Sequence, residues 1–211
     1  MSTPSDRILT EDGLAPKGEG RLLVIACGAL AREIVAIRDA NHMTHMDLQC
    51  LPAILHNSPQ RIPALVEAAV LDARDRYESI FVAYADCGTG GLLRKTCDRL
   101  GVPMLDGPHC YSFFEGNRVF AAHDGEGANF WLTDFLARQF EAFVIRPLGL
   151  DRHPELRDMY FGNYEKLIYL AQVDDPALTE AARKAADFLG LEFERRFTGY
   201  GDLAVAMAGL K

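Results

Sequence analysis

From Arg21 onward the apolar and polar positions switch between two periods. RLLVIAC is a short run of branched apolar residues that ends beside a glycine, the pattern of a buried strand. ALAREIVAIRDAN then spaces its apolar residues three and four apart, as an amphipathic helix does. MDLQCLP is a second strand stopped at Pro52, and the loop AILHNSPQRIP leads into a helix over ALVEAAVLDARDRY. SIFVAYA is the clearest strand of the chain. After a glycine loop, LLRKTCDRL reads as a helix ended by Gly101, and VPMLDG as a short fourth strand.

The stretch HCYSFFEGNRVFAAHDGEGANFW has no clear period and is expected to be irregular. WLTDFLARQFEAFVIRPLG reads as helix as far as Pro147, LDRHPELRDMYFGNYE as a short helix, and KLIYLAQV as a strand. DPALTEAARKAADFLG places Asp175 as a cap, Pro176 at the first helical position and Gly190 at the end. LEFERRF is a last strand and DLAVAMAGL a last helix.

Strands that alternate with helices imply a Rossmann-like α/β fold, a mostly parallel sheet with helices on both faces. The expected organisation is a flexible N-terminal arm over 1–20 and a single α/β domain over 21–211. The aromatic stretch is where two lobes would divide. The 211 residues suffice for a sizeable core without disulfides. A formal net charge of −8 counts against nucleic acid or an anionic membrane as the main partner. The polar start lacks the apolar core of a signal peptide, and no apolar run matches a membrane span, so a cytoplasmic location is expected. Five cysteines in such a chain suggest thiols or metal ligands rather than a disulfide framework.

Ligands of open parallel sheets sit beyond the carboxyl ends of the strands. Cys27 ends the first strand, His56 follows the second, Cys87 follows the third, and His109 and Cys110 follow the fourth. If these strands are parallel, all five groups meet at one rim. A lone cysteine is more often inert packing, and Cys50 and Cys97, inside a strand and a helix, are read that way. Thiolate and imidazole together suit zinc first, with iron or an iron–sulfur cluster as the other option. Three protein ligands leave a position open for water or substrate. A metal-free alternative uses Cys87 as a nucleophile before a helix N-terminus, with His109 as acid or base. VIACGALA and GPHC also resemble, over a few residues each, the cysteine-bearing strand ends of cofactor-independent amino-acid racemases. That family's asparagine–threonine step is absent.

Gly88, Gly90 and Gly91 offer backbone N–H groups for an anionic cofactor, although neither GxGxxG nor the Walker pattern is present. Glu33, two turns past Cys27, is an acid, a base or a solvated helix glutamate. His42 and His45 fall at the opposite end of the sheet and read as surface residues, while His123 and Asp124 sit in a loop able to fold over the rim. Tyr84, Tyr111 and Phe113 read as pocket lining or core.

ACGALAREI, LQCLPAILHNSP, FVAYADCGTGG, HCYSFFEG and FGNYEKLIYLA, in that order, resemble the domain-of-unknown-function family sixteen-thirty-eight over about Leu22 to Phe197. The resemblance places functional positions on Cys27, Glu33, His56, Cys87, Cys110 and Gly116, and matches the pair Asn163 and Tyr164. Ala85, Asp86 and His109 depart from the family pattern. It implies a small-molecule substrate and a context of corrinoid-linked methyl or one-carbon metabolism, with a corrinoid protein or methyltransferase as partner. No cobalamin motif of the Asp-x-His-x-x-Gly kind is present. The expected centre is a metal on Cys27, His56, Cys87 and Cys110, with Glu33 or His109 moving protons. A metal-free thiol enzyme and a non-catalytic module docking on a corrinoid protein are the alternatives.

Overall fold

The computed structural model describes residues 4–122 and 128–210, so His123 and Asp124 lie outside the described residues. Two compact units account for the chain: residues 1–113 with 201–211, and residues 114–200. The first unit begins with α1 (Asp6–Glu11), β1 (Leu22–Cys27), α2 (Ala31–Ala40), β2 (Met46–Leu51) and α3 (Ile62–Ala73). It continues through β3 (Ser79–Ala83), α4 (Leu92–Leu100) and the start of α5 (Cys110–Glu115). The second unit holds α6 (Asn117–Ala122), β4 (Asn129–Leu132), α7 (Asp134–Arg138), α8 (Arg157–Phe161), β5 (Lys166–Ala171), α9 (Pro176–Leu189) and β6 (Glu192–Phe197). The chain then returns to the first unit as α10 (Gly201–Ala208), which packs on α2.

Each unit carries a three-stranded, all-parallel sheet, in the orders β2-β1-β3 and β4-β5-β6. The Rossmann-like α/β expectation therefore holds, with the strands shared between two sheets rather than one. The central strands explain their own position. All six residues of β1 are buried, as are Leu167 to Ala171 of β5, the signature of strands covered on both faces. The end of α9 follows the expected chemistry: Asp175 accepts from the Ala177 amide at 2.8 Å, and Gly190 closes the helix at φ 73°.

Three readings need correction. VPMLDG forms no regular strand. It lies beside β3 through a single parallel bridge, Val82 to Met104, because Pro103 lacks the N–H a ladder would need. NFWL, read partly as irregular and partly as helix, is β4, and its four residues were too few to show a period. The aromatic stretch forms two short helices, α5 and α6, and the division between the units falls inside α5 after Phe113.

The segment read as a flexible arm is tied down. Leu9 of α1 is fully buried, and Leu14 pairs with Cys50 of β2 through two 2.8 Å bonds. One carboxylate oxygen of Asp47 accepts from the amides of Gly18, Glu19 and Gly20 and from the Tyr77 hydroxyl. Burial pushes the Asp47 carboxyl up, but these four donors outweigh it and hold it below the usual carboxylate value. A lowered carboxylate contributes stability that is present above its unfolded value and lost as the pH falls through the folded one. The Gly18 and Gly20 amide resonances are thus expected to stay fixed from neutral pH down to about pH 4 and to move only below it. In Asp47→Ala the same resonances are expected at unstructured positions at every pH.

Candidate metal centre

The first sheet sets the site by register. Cys27, the last residue of β1, lies opposite Leu51, the last of β2, while Ala26 lies opposite Ala83, the last of β3. All three strands therefore finish at one level. After β2, Pro52 turns the chain into a short 3-10 segment, Ala53–Asn57, that carries His56. After β3, the backbone passes Tyr84 and Ala85 and enters a left-handed turn at Cys87 (φ 48°) and Gly88 (φ 81°). The Asp86 and Cys87 amides donate to the carbonyls of Gly107 and Pro108 at 3.0 Å each. Those two bonds draw the 107–110 segment alongside and bring Cys110, the first residue of α5, to Cys87.

The result is a group of three donor residues. His56, Cys87 and Cys110 offer ligand atoms that all lie within 4.8 Å of one another, so the group is able to hold a metal ion. The Cys87 and Cys110 sulfurs are 3.3 Å apart, and Cys87 is buried while Cys110 is partly exposed. A left-handed conformation in a residue with a Cβ costs about 1–2 kcal/mol. The turn holds Cys87 in it nonetheless, and this is what points its sulfur at its neighbour's.

Cys27 stands outside this group and behind it. Its fully buried sulfur is 3.6 Å from Nδ1 of His56 and accepts from the Ala29 amide at 3.4 Å. The same Nδ1 lies 3.1 Å from the Ala53 carbonyl. With Nδ1 held by a carbonyl and a sulfur, Nε2 is the nitrogen left to coordinate, the usual outer arrangement of a metal-binding histidine. The approach is tight. A Cβ at Gly28 would meet the Leu9 carbonyl oxygen at 2.1 Å, so only glycine lets α1 pass over the Cys27 turn.

Charge follows from this packing. Burial alone would lower His56, but its interactions with the sulfurs of Cys27 and Cys87 raise it well above the ordinary histidine value. The hydrogen bond from Cys110 holds Cys87 well below the ordinary thiol value against its burial, with His56 assisting, and the same bond raises Cys110. The two sulfurs behave as one pair that carries a single thiolate. The expected help from a helix N-terminus is absent, since α4 begins at Leu92, five residues beyond Cys87.

The remaining candidates separate. His109 lies outside the donor group and stacks on Tyr111, with ring centroids 4.9 Å apart. Glu33 is buried in the first turn of α2, so it is no solvated helix glutamate, and its charge acts on the buried Cys50. The Gly90 and Gly91 amides are taken by the Asp86 carboxylate at 3.1 and 2.7 Å, and Thr89 Oγ1 donates to it at 2.6 Å. The loop therefore supplies its own anion, and a bound cofactor phosphate would have to displace it. Cys97 is core. Gly116 has φ 95°, and Tyr164 packs with Phe130 and Phe161 within the second unit.

One residue read only as pocket or core gains weight. Tyr84 is 1 % exposed, and its hydroxyl has no hydrogen-bond partner among the described residues. Burial raises that hydroxyl, and so do the sulfurs of Cys27, Cys50, Cys110 and Cys87 around it. Its place two residues beyond the register of Val82 in the strand carried the only sequence signal. A buried hydroxyl without a partner is uncommon.

The family described as Protein of unknown function (DUF1638) matches residues 50–207, three quarters of the chain. The chain belongs to this family. The matched span contains His56, Cys87 and Cys110 and begins beyond Cys27 and Glu33. No curated protein and no solved structure matches the chain. No helix among the described residues is long and apolar enough to cross a membrane.

Proposed function

We propose that this chain is a zinc protein of corrinoid-linked methyl or one-carbon metabolism, with its ion held by His56, Cys87 and Cys110. The convergence of those three donors within 4.8 Å carries the reading. Two sulfurs on a tetrahedral zinc lie about 3.8 Å apart and a sulfur and a nitrogen about 3.5 Å, so the group fits with small adjustments. An iron–sulfur cluster asks for four cysteine thiolates, and Cys27 is turned to the far side of His56. The unpartnered Tyr84 hydroxyl supports a site with one position left for substrate.

The metal would supply Lewis acidity, keeping a substrate thiol as thiolate at neutral pH. The protein's share is the rest. Cys27 and the Ala53 carbonyl fix the His56 ring, and the Gly107 and Pro108 carbonyls fix the Cys87 turn. Tyr84 donates a hydrogen bond to the group that enters. A methylated corrinoid, as the donor, would supply the methyl group to the substrate thiolate and keep the electron pair of the broken bond. The resemblance to the family is what suggests the corrinoid context, and a corrinoid protein is the proposed partner.

The test is turnover. Zinc-loaded chain is mixed with methylcobalamin and homocysteine, and the loss of the cobalt–carbon absorption is followed beside formation of the S-methyl product. Turnover that Cys87→Ser abolishes supports the reading. No turnover, together with a stable complex with a corrinoid protein, replaces it with an accessory role.

A further inference from the structure

We infer that Cys87 and Cys110 are also a redox dithiol, which closes to an intramolecular disulfide by exchange with a small-molecule disulfide. This goes beyond the metal reading and does not need it. Four observations carry it. The two sulfurs are already 3.3 Å apart, and a disulfide needs them about 1.3 Å closer. No side chain crowds the turn as the sulfurs close, because Gly88, Gly90 and Gly91 follow Cys87, all at positive φ, and even a Cβ at Gly90 or Gly91 would meet nothing within 4 Å. Cys110 alone of the five cysteines is not fully buried, so it is the entry point. The other three have no such neighbour: Cys27 faces His56, Cys50 is buried in β2, and Cys97 is buried in α4.

The chemistry balances with the disulfide as oxidant. The attacking form of Cys110 is its thiolate, as in any thiol–disulfide exchange. Cys110 attacks a sulfur of RSSR, and a first thiolate leaves. Cys87, as thiolate, then attacks the Cys110 sulfur of the mixed disulfide, and the second RS group leaves as thiolate, the two cysteine protons ending on the two released RSH. The pair loses two electrons and RSSR gains them. The product can no longer offer two thiolates to an ion, so the same pair either holds metal or holds a disulfide.

The experiment uses the full chain, reduced and stripped of metal by a chelator, then exposed to oxidised glutathione without denaturant. Intact mass and a non-reducing peptide map are read. The expected product has lost two hydrogens, links Cys87 to Cys110, and leaves Cys27, Cys50 and Cys97 free to alkylate. Cys87→Ser is expected to stall as a stable glutathione adduct on Cys110, which also shows that this variant is folded enough to react selectively. A stable adduct on Cys110 in the unaltered chain, a link to any other cysteine, or no reaction would overturn the proposal. Adding zinc beforehand separates the two readings. Slower exchange with zinc places the ion on these sulfurs, whereas an unchanged rate with the same Cys87–Cys110 link counts against the metal centre alone.

Discussion

Cys87→Ser and Cys110→Ser are each expected to abolish stoichiometric metal binding, while Cys27→Ala is expected to keep the ion with about 10–100-fold weaker affinity. The difference follows from position. Cys87 and Cys110 lie in the three-donor group, and a hydroxyl at either place is a poor substitute for a thiolate. Cys27 meets the donor group through Nδ1 of the His56 ring, and its loss leaves Nδ1 still held by the Ala53 carbonyl. The ring then keeps its orientation but loses one of the two groups beside Nδ1. His56→Ala should behave like the two serine variants. Competition with a chromophoric zinc chelator measures all four. Equal loss in Cys27→Ala and Cys87→Ser would place Cys27 among the ligands and redraw the centre.

The second large effect is expected far from the cysteines. Asp134→Ala should destabilise the second unit by about 3 kcal/mol or more, since each buried donor left without an acceptor costs about 1–3 kcal/mol. Asp134 is 1 % exposed at the start of α7. Its carboxylate accepts from the Tyr169 hydroxyl at 2.6 Å and from the amides of Gln172 and Val173 at 3.1 and 3.0 Å. In return Gln172 Oε1 accepts from the Asp134 amide at 2.7 Å. One side chain thus joins the helix after β4 to the end of β5. Tyr169→Phe removes a single bond and should cost about 1 kcal/mol. The single tryptophan, Trp131, sits on β4 and reports on this unit by its fluorescence in a urea titration. A loss in Asp134→Ala no greater than in Tyr169→Phe would mean that the network relaxes onto other acceptors.

Much of this architecture is legible in the chain itself. β1, β3, β5 and α9 announce themselves because branched apolar runs and well-formed caps are local signals. The rim of the first sheet is legible in part for the same reason: Cys27, His56 and Cys87 follow the ends of β1, β2 and β3, and parallel strands put those ends together, whereas no regular strand precedes Cys110. What stays hidden is non-local. Nothing in MSTPSDRILTEDGLAPKGEG marks the three amides just before β1 that one carboxylate, Asp47, collects. The glycine loop offers amides to an anion on paper, but Asp86, just before it, already occupies them. His56 and His109 are equally placed by sequence. Only the 3-10 turn after Pro52 swings one ring to Cys87, while the other lies flat on Tyr111.

The central claim is that a metal ion is part of this protein. Its most direct test is elemental analysis and X-ray absorption of chain purified without oxygen and without a histidine tag. The account predicts zinc equimolar with the chain, with sulfur neighbours at about 2.3 Å and a nitrogen neighbour at about 2.0–2.1 Å. Chain that is folded, fully reduced and free of metal, and that takes up no zinc when it is supplied, would contradict it.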